Sequence, residues 1–128
     1  MTLVKRFEDL RAWQSARKLV SSVYAATRQE PFARDFGLRD QIQRAAVSTM
    51  SNIAEGFESG TDGDFSRFLA YARASAAEVQ SLLYVALDAG YLSRENFETL
   101  YRLAEETKAL SGGLLASIRR RSAKSHRR

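Results

Sequence analysis

Gln41, Arg44, Ser48, Asn52 and Glu55 recur at intervals of three and four residues, and Ser75 and Glu78 repeat that spacing further along the chain. At the helical rotation of 100° per residue, the first five fall within about 80° of one another, so they form a polar stripe beside an apolar face. Three kinds of chemistry fit such a stripe. A half-buried Glu55 or Glu78 could act as an acid or base, because burial raises a carboxyl pKa. The groups could instead be a solvated helix edge. Or they could hydrogen-bond across two helices and fix their alignment, since a buried polar group left unpaired costs about 1–3 kcal/mol. The third reading is preferred: a structural polar network of Arg44, Ser48, Asn52, Glu55, Ser75 and Glu78.

The elements that must position these residues follow from periodicity. Four segments carry apolar residues at the 3.6-residue period and none alternates with period two, which predicts an all-α chain. The predicted helices cover about residues 9–29, 38–58, 62–89 and 94–120. Pro31 stops the first, and Gly56, Gly60 and Gly63 surround the end of the second. Thr61 with Asp64 reads as the cap of the third, Gly90 closes it, and Ser93 caps the fourth. Gly112 and Gly113 lie inside the fourth, yet Leu114, Leu115 and Ile118 stay in register with it, so that helix is kept whole. Joints this short predict an antiparallel up-down-up-down four-helix bundle over residues 1–120. A hairpin centred near residue 60 sets Arg44 level with Ser75 to Glu78, and Ser48 near Ala72. Residues 121–128 read as a basic, disordered tail.

Charge separates along the chain. Of the 20 Lys and Arg residues, six fall in residues 119–128, leaving 14 against 15 acids in the remainder. Residues 1–44 hold nine bases and five acids, whereas residues 45–118 hold five and ten. Arg11, Arg17, Lys18 and Arg28 project from the non-core face of the first helix, with no acid from Leu10 to Gln29. Together with Arg119, Arg120, Arg121, Lys124, Arg127 and Arg128 they are the candidate nucleic-acid contacts, because phosphate binding needs clustered cations and little else. No aromatic residue interleaves with the tail, so RNA or DNA binding is expected to be independent of sequence.

The outward side of the third helix is not polar. Ala70, Ala74, Ala77, Tyr84 and Val85 lie there, and Val47 and Ala54 extend the patch from the second helix. These residues are the candidate interface between copies of the chain, in a ring whose contacts would be heterologous. A surface for a different protein partner is the alternative use.

Enzymatic readings are weak. The single histidine, His126, falls in the tail, so no Glu-x-x-His metal pair and no Ser/His/Asp set can be assembled. SGTDGD, residues 59–64, lacks the spacing and closing Glu of a calcium loop. With no cysteine there is no thiolate chemistry. No metal, cofactor or catalytic residue is expected. The chain shows no apolar run long enough to span a membrane and no leader pattern, so a cytoplasmic location is expected.

The segments FEDLRAWQSARKLV, FGLRDQIQRAAVSTMSNIAEGF and DFSRFLAYARASAAEVQSLLYVALDAGYL, in this order, resemble the bacterial four helix bundle proteins encoded by intervening sequences in large-subunit ribosomal RNA genes. The hexapeptide SNIAEG, residues 51–56, is the most specific part of the match. The family pattern A-x-G-S-x-x-E reads here with Ala74 in place of its glycine, while Ser75 and Glu78 match. That family is similar in fold to accessory proteins of diversity-generating retroelements, pentameric barrels that bind nucleic acid and a reverse transcriptase. The resemblance implies a homopentamer without established enzymatic activity. It assigns no binding residue in this chain.

Overall fold

The computed structural model describes residues 4–126 and contains four long helices: α1 Arg11–Thr27, α2 Phe36–Glu58, α3 Asp62–Asp88 and α4 Arg94–His126. Single 3-10 turns, Phe7–Asp9 and Phe32–Arg34, precede α1 and α2. Each helix packs against two others in the cyclic order α1, α2, α3, α4, and α3 makes the most extensive contacts, against α2 and α4. Cross-helix hydrogen bonds run in opposite directions along neighbours: Gln41 meets Glu78 while Ser48 meets Ser75, and Gln80 meets Glu105 while Arg121 meets Asp62.

The helix ends have local causes. Asp35 caps α2 by accepting a hydrogen bond from the Leu38 amide at 3.2 Å, which starts that helix at Phe36, two residues before the apolar period predicts. The other Asp35 oxygen accepts from the Tyr91 hydroxyl at 2.9 Å, tying the α3–α4 joint to the start of α2. Thr61 accepts from the Asp64 amide at 3.1 Å and Ser93 from the Asn96 amide at 3.0 Å, as their cap positions predict. Gly90 adopts φ 81°, in the left-handed region that closes a helix without a side-chain clash. At the N-terminus Glu8 and Asp9 belong to the 3-10 turn, so α1 begins later than the acidic residues suggest.

The largest departure from the sequence reading is at the other end. After Ile118 the sequence has a single apolar residue, Ala123, which predicts a helix end near Arg120 and a disordered tail from 121, yet α4 continues to His126. A contact distant in sequence accompanies the extension: the Arg121 guanidinium donates to both carboxylate oxygens of Asp62, in the first turn of α3. Arg127 and Arg128 lie outside the described residues.

The core divides in two. Toward one end Leu19, Val23, Phe32, Ile42, Val79, Leu83, Ala86, Phe97 and Leu100 are buried together; toward the other Leu10, Ala16, Ile53, Leu69, Leu115 and Ile118 are. Between them lies a layer of small side chains and hydroxyls: Ser15, Thr49, Ala76, Thr107 and Ser111, all buried. Ser15 and Thr107 share a hydrogen bond of 2.9 Å, and Thr49 and Thr107 also donate back to the Ala46 and Leu103 carbonyls. Ser111 Oγ alone has no partner among the described residues.

Candidate nucleic-acid interface

The polar stripe on α2 is partly a network. Ser48 Oγ and Ser75 Oγ lie 2.9 Å apart, and Asn52 Nδ2 donates to the Ser48 carbonyl at 2.8 Å and to Ser48 Oγ at 2.9 Å. These three side chains are half-buried and join α2 to α3. Glu78 is exposed and accepts from Gln41 Nε2 at 3.4 Å, so it lies at the edge of this group. Arg44 and Glu55 are exposed and have no hydrogen bond or ion pair among the described residues. The expected Arg44–Glu78 pair is not formed; Glu78 accepts instead from Gln41, one turn earlier on the same edge as Arg44.

Sequence reasoning did not anticipate the polar contacts between α3 and α4. Buried Gln80 donates to Glu105 at 2.7 Å and accepts from Lys108 Nζ at 3.0 Å, and Lys108 pairs with Glu105 at 3.0 Å. The Gln80 hydrogen bond, and then that of Lys108, holds the Glu105 carboxyl below the usual range. Gln80 falls on the flank of α3, and no pattern within α3 alone identifies its partners 25 and 28 residues away.

The cations fall into two kinds. Arg6, Arg34, Arg39, Arg67, Lys108 and Arg121 are each paired with a carboxylate. Arg11, Arg17 and Lys18 are exposed along α1 and Arg28 just past its end, and Arg119, Arg120 and Lys124 are exposed on the last turns of α4. None of these seven has a carboxylate partner among the described residues, nor have Lys5, Arg44, Arg73, Arg94 and Arg102, which are exposed elsewhere on the surface. Arg121 is thereby separated from the other predicted phosphate contacts, and its hydrogen bond also lowers the Asp62 pKa. Leu10 and Ala12 pack in the same cluster as Leu115 and Ile118, so Arg11 and the α4 cations flank the same end of the molecule.

A shallow concavity of about 830 Å³ lies over α1, bordered by Arg6, Trp13, Gln14, Arg17, Lys18 and Ser21 among others. Trp13 is half-buried, meets the Phe7 ring edge-on at 5.2 Å between centroids, and carries the Arg17 guanidinium 5.8 Å from its own centroid. On the opposite flank of the molecule, α3 exposes Ala74, Ala77, Tyr84 and Val85, with Tyr71 beside them, while Ala70, Val47 and Ala54 are half-buried. Among the described residues no group of three or more His, Asp or Glu side chains is placed to hold a metal ion. No helix among them is long and apolar enough to cross a membrane.

Residues 8–113 match the family described as 23S rRNA-intervening sequence protein. A crystal structure of a Bacteroides thetaiotaomicron protein of unknown function, from the S23 ribosomal protein family, superposes with a TM-score of 0.75 at 21% identity, covering 81% of this chain and 97% of that one. At that identity the likeness establishes the fold alone. No curated protein matches the chain. With the match spanning most of the bundle, from the turn before α1 to the glycine pair of α4, the chain belongs to the 23S rRNA-intervening sequence protein family.

Proposed function

We propose that the chain is a non-catalytic, cytoplasmic helical bundle that assembles with copies of itself and binds RNA or DNA through phosphate contacts independent of sequence. The observation that carries this reading is that seven of the exposed cations without carboxylate partners fall in two stretches free of acid, residues 10–29 and 119–126. A cation already paired with a carboxylate must give up that partner to meet a phosphate; these seven need not. Repeated around a ring, the charges of each copy add to one field. The exposed small and aromatic residues of α3 support the assembly, and the family resemblance favours five subunits. The nucleic acid would serve as substrate for a separate processing partner, with the bundle as its accessory.

The test is affinity for a generic oligonucleotide as a function of salt. Affinity should fall linearly on a log–log scale, and the double variant Arg11→Glu, Lys18→Glu should reduce that slope by roughly 0.9 for each phosphate no longer neutralised. Arg119→Glu with Arg120→Glu, leaving Arg121 on Asp62, should do the same. Binding that ignores salt, or no binding at low salt, overturns the reading. A second reading, a scaffold for a different protein, rests on exposed Tyr71, Tyr84 and Val85. It is favoured if one defined protein stays bound through nuclease treatment and is released by Tyr84→Glu.

A further inference from the structure

We infer that the concavity over α1 is a binding site for single-stranded nucleic acid, in which an unpaired base stacks on Trp13 while Arg17 and Lys18 hold the flanking phosphates. The inference rests on the phosphate-binding reading above and adds the kind of strand and the residue that grips a base. Three features of the site carry it. An indole lies in the wall of an open hollow, half-buried, and its N–H has no hydrogen-bond partner among the described residues. Arg17 and Lys18 border the same hollow without carboxylate partners, and the one carboxylate there, Glu8, is paired with Arg6 at 3.0 Å. Arg17 already lies over the indole, an arrangement in which the guanidinium can stack on a base or turn to a phosphate while the ring remains a platform.

Shape selects the strand. A paired duplex hides its base faces within the stack and offers phosphates alone, so Trp13 gains nothing from it. A single strand can turn a base onto the ring, and stacking of this kind strengthens binding whatever the base. Phe7 meets the indole edge-on, which holds the ring in place before a base arrives.

Because Trp13 is the single tryptophan of the chain, its fluorescence reports the site directly. The full chain is titrated at low salt with ribo- and deoxyribo-strands of about a dozen nucleotides and with a blunt duplex of equal length. Binding is followed in parallel by anisotropy of a labelled oligonucleotide. The expected result is saturable quenching of Trp13 emission by single strands of either sugar, with tighter binding than to the duplex. Trp13→Leu should weaken single-strand binding by roughly tenfold and leave duplex affinity unchanged. Trp13→Phe, which keeps an aromatic face against Phe7, should retain most of the single-strand affinity. Unchanged Trp13 emission at saturated binding, or equal affinity of wild type for strand and duplex, overturns this inference and leaves the phosphate-binding reading standing. Absence of binding to either form at low salt overturns both.

Discussion

A methyl group at Gly56 would sit 2.8 Å from Phe68 Cβ and 3.0 Å from Phe65 Cδ1, so this glycine lets α2 and α3 approach closely near their joint. The hexapeptide around it divides its work: Asn52 bonds to Ser48, Ile53 fills the core, Gly56 meets α3, and Glu55 faces outward. Gly113 has open space where a side chain would go, while at Gly112 the side chain of Arg73 lies 3.1 Å from the position of a Cβ. One substitution therefore has opposite signs at two sites. Gly56→Ala should destabilise by about 1–3 kcal/mol through overpacking, and Gly113→Ala should stabilise by about 1 kcal/mol through helix propensity. Gly112→Ala should gain less than Gly113→Ala, because Arg73 must move. Urea denaturation midpoints at constant slope check all three.

α4 shows how a helix can outlast its apolar face. None of residues 119–125 is buried, yet Arg121 forms a two-pronged ion pair with Asp62, whose carboxylate also sits at the positive end of α3. Both partners are substantially exposed, so the pair contributes about 0–1 kcal/mol to the whole fold. Its larger effect is local, on the last turns of α4. Asp62→Asn should therefore leave global stability nearly unchanged and speed amide hydrogen exchange from about Arg119 onward. Arg121 depresses the Asp62 pKa in the folded state, so the contribution is present above the ordinary carboxylate range and is lost as pH falls through the lowered value. Hydrogen exchange of the wild type in that acidic window should approach that of Asp62→Asn. The end of α4 was illegible in the sequence because Asp62 is 59 residues from Arg121, and nothing in the composition of residues 119–126 points to it.

At the scale of the molecule, hydroxyls and alanines at mid-height separate two apolar clusters. The layer keeps all four helices thin at one level, and the Ser15–Thr107 bond pairs a buried hydroxyl of α1 with one of α4 there, while Ser111 Oγ of α4 has no partner among the described residues. Outside, one flank carries unpartnered cations and another exposes Ala74, Ala77, Tyr84 and Val85. The apolar flank leads to a prediction for the free protein: light scattering should give a mass that is a multiple of 14.4 kDa. Ala77→Glu with Val85→Glu should reduce the mass to that of one chain, with helical circular dichroism retained. The thermal midpoint of the wild type should rise with protein concentration and that of the double variant should not. A wild type that runs as a single chain at every concentration would end the assembly reading.

The sequence by itself determined four helices and their joints, because periodicity, caps and glycines act within a few residues of one another and are written in order along the chain. It also identified Ser48, Asn52 and Ser75 as a group, since a short joint near residue 60 converts their positions into heights on neighbouring helices. Only the tertiary structure decided which charged groups are engaged: Glu78 with Gln41, Asp62 with Arg121, Glu105 with Gln80 and Lys108, while Arg44 and the cations of α1 have no such partner. The physical reason is reach. A long polar side chain samples several neighbours on an adjacent helix at similar energy, so a shift of one turn, which leaves the apolar pattern intact, changes its partner.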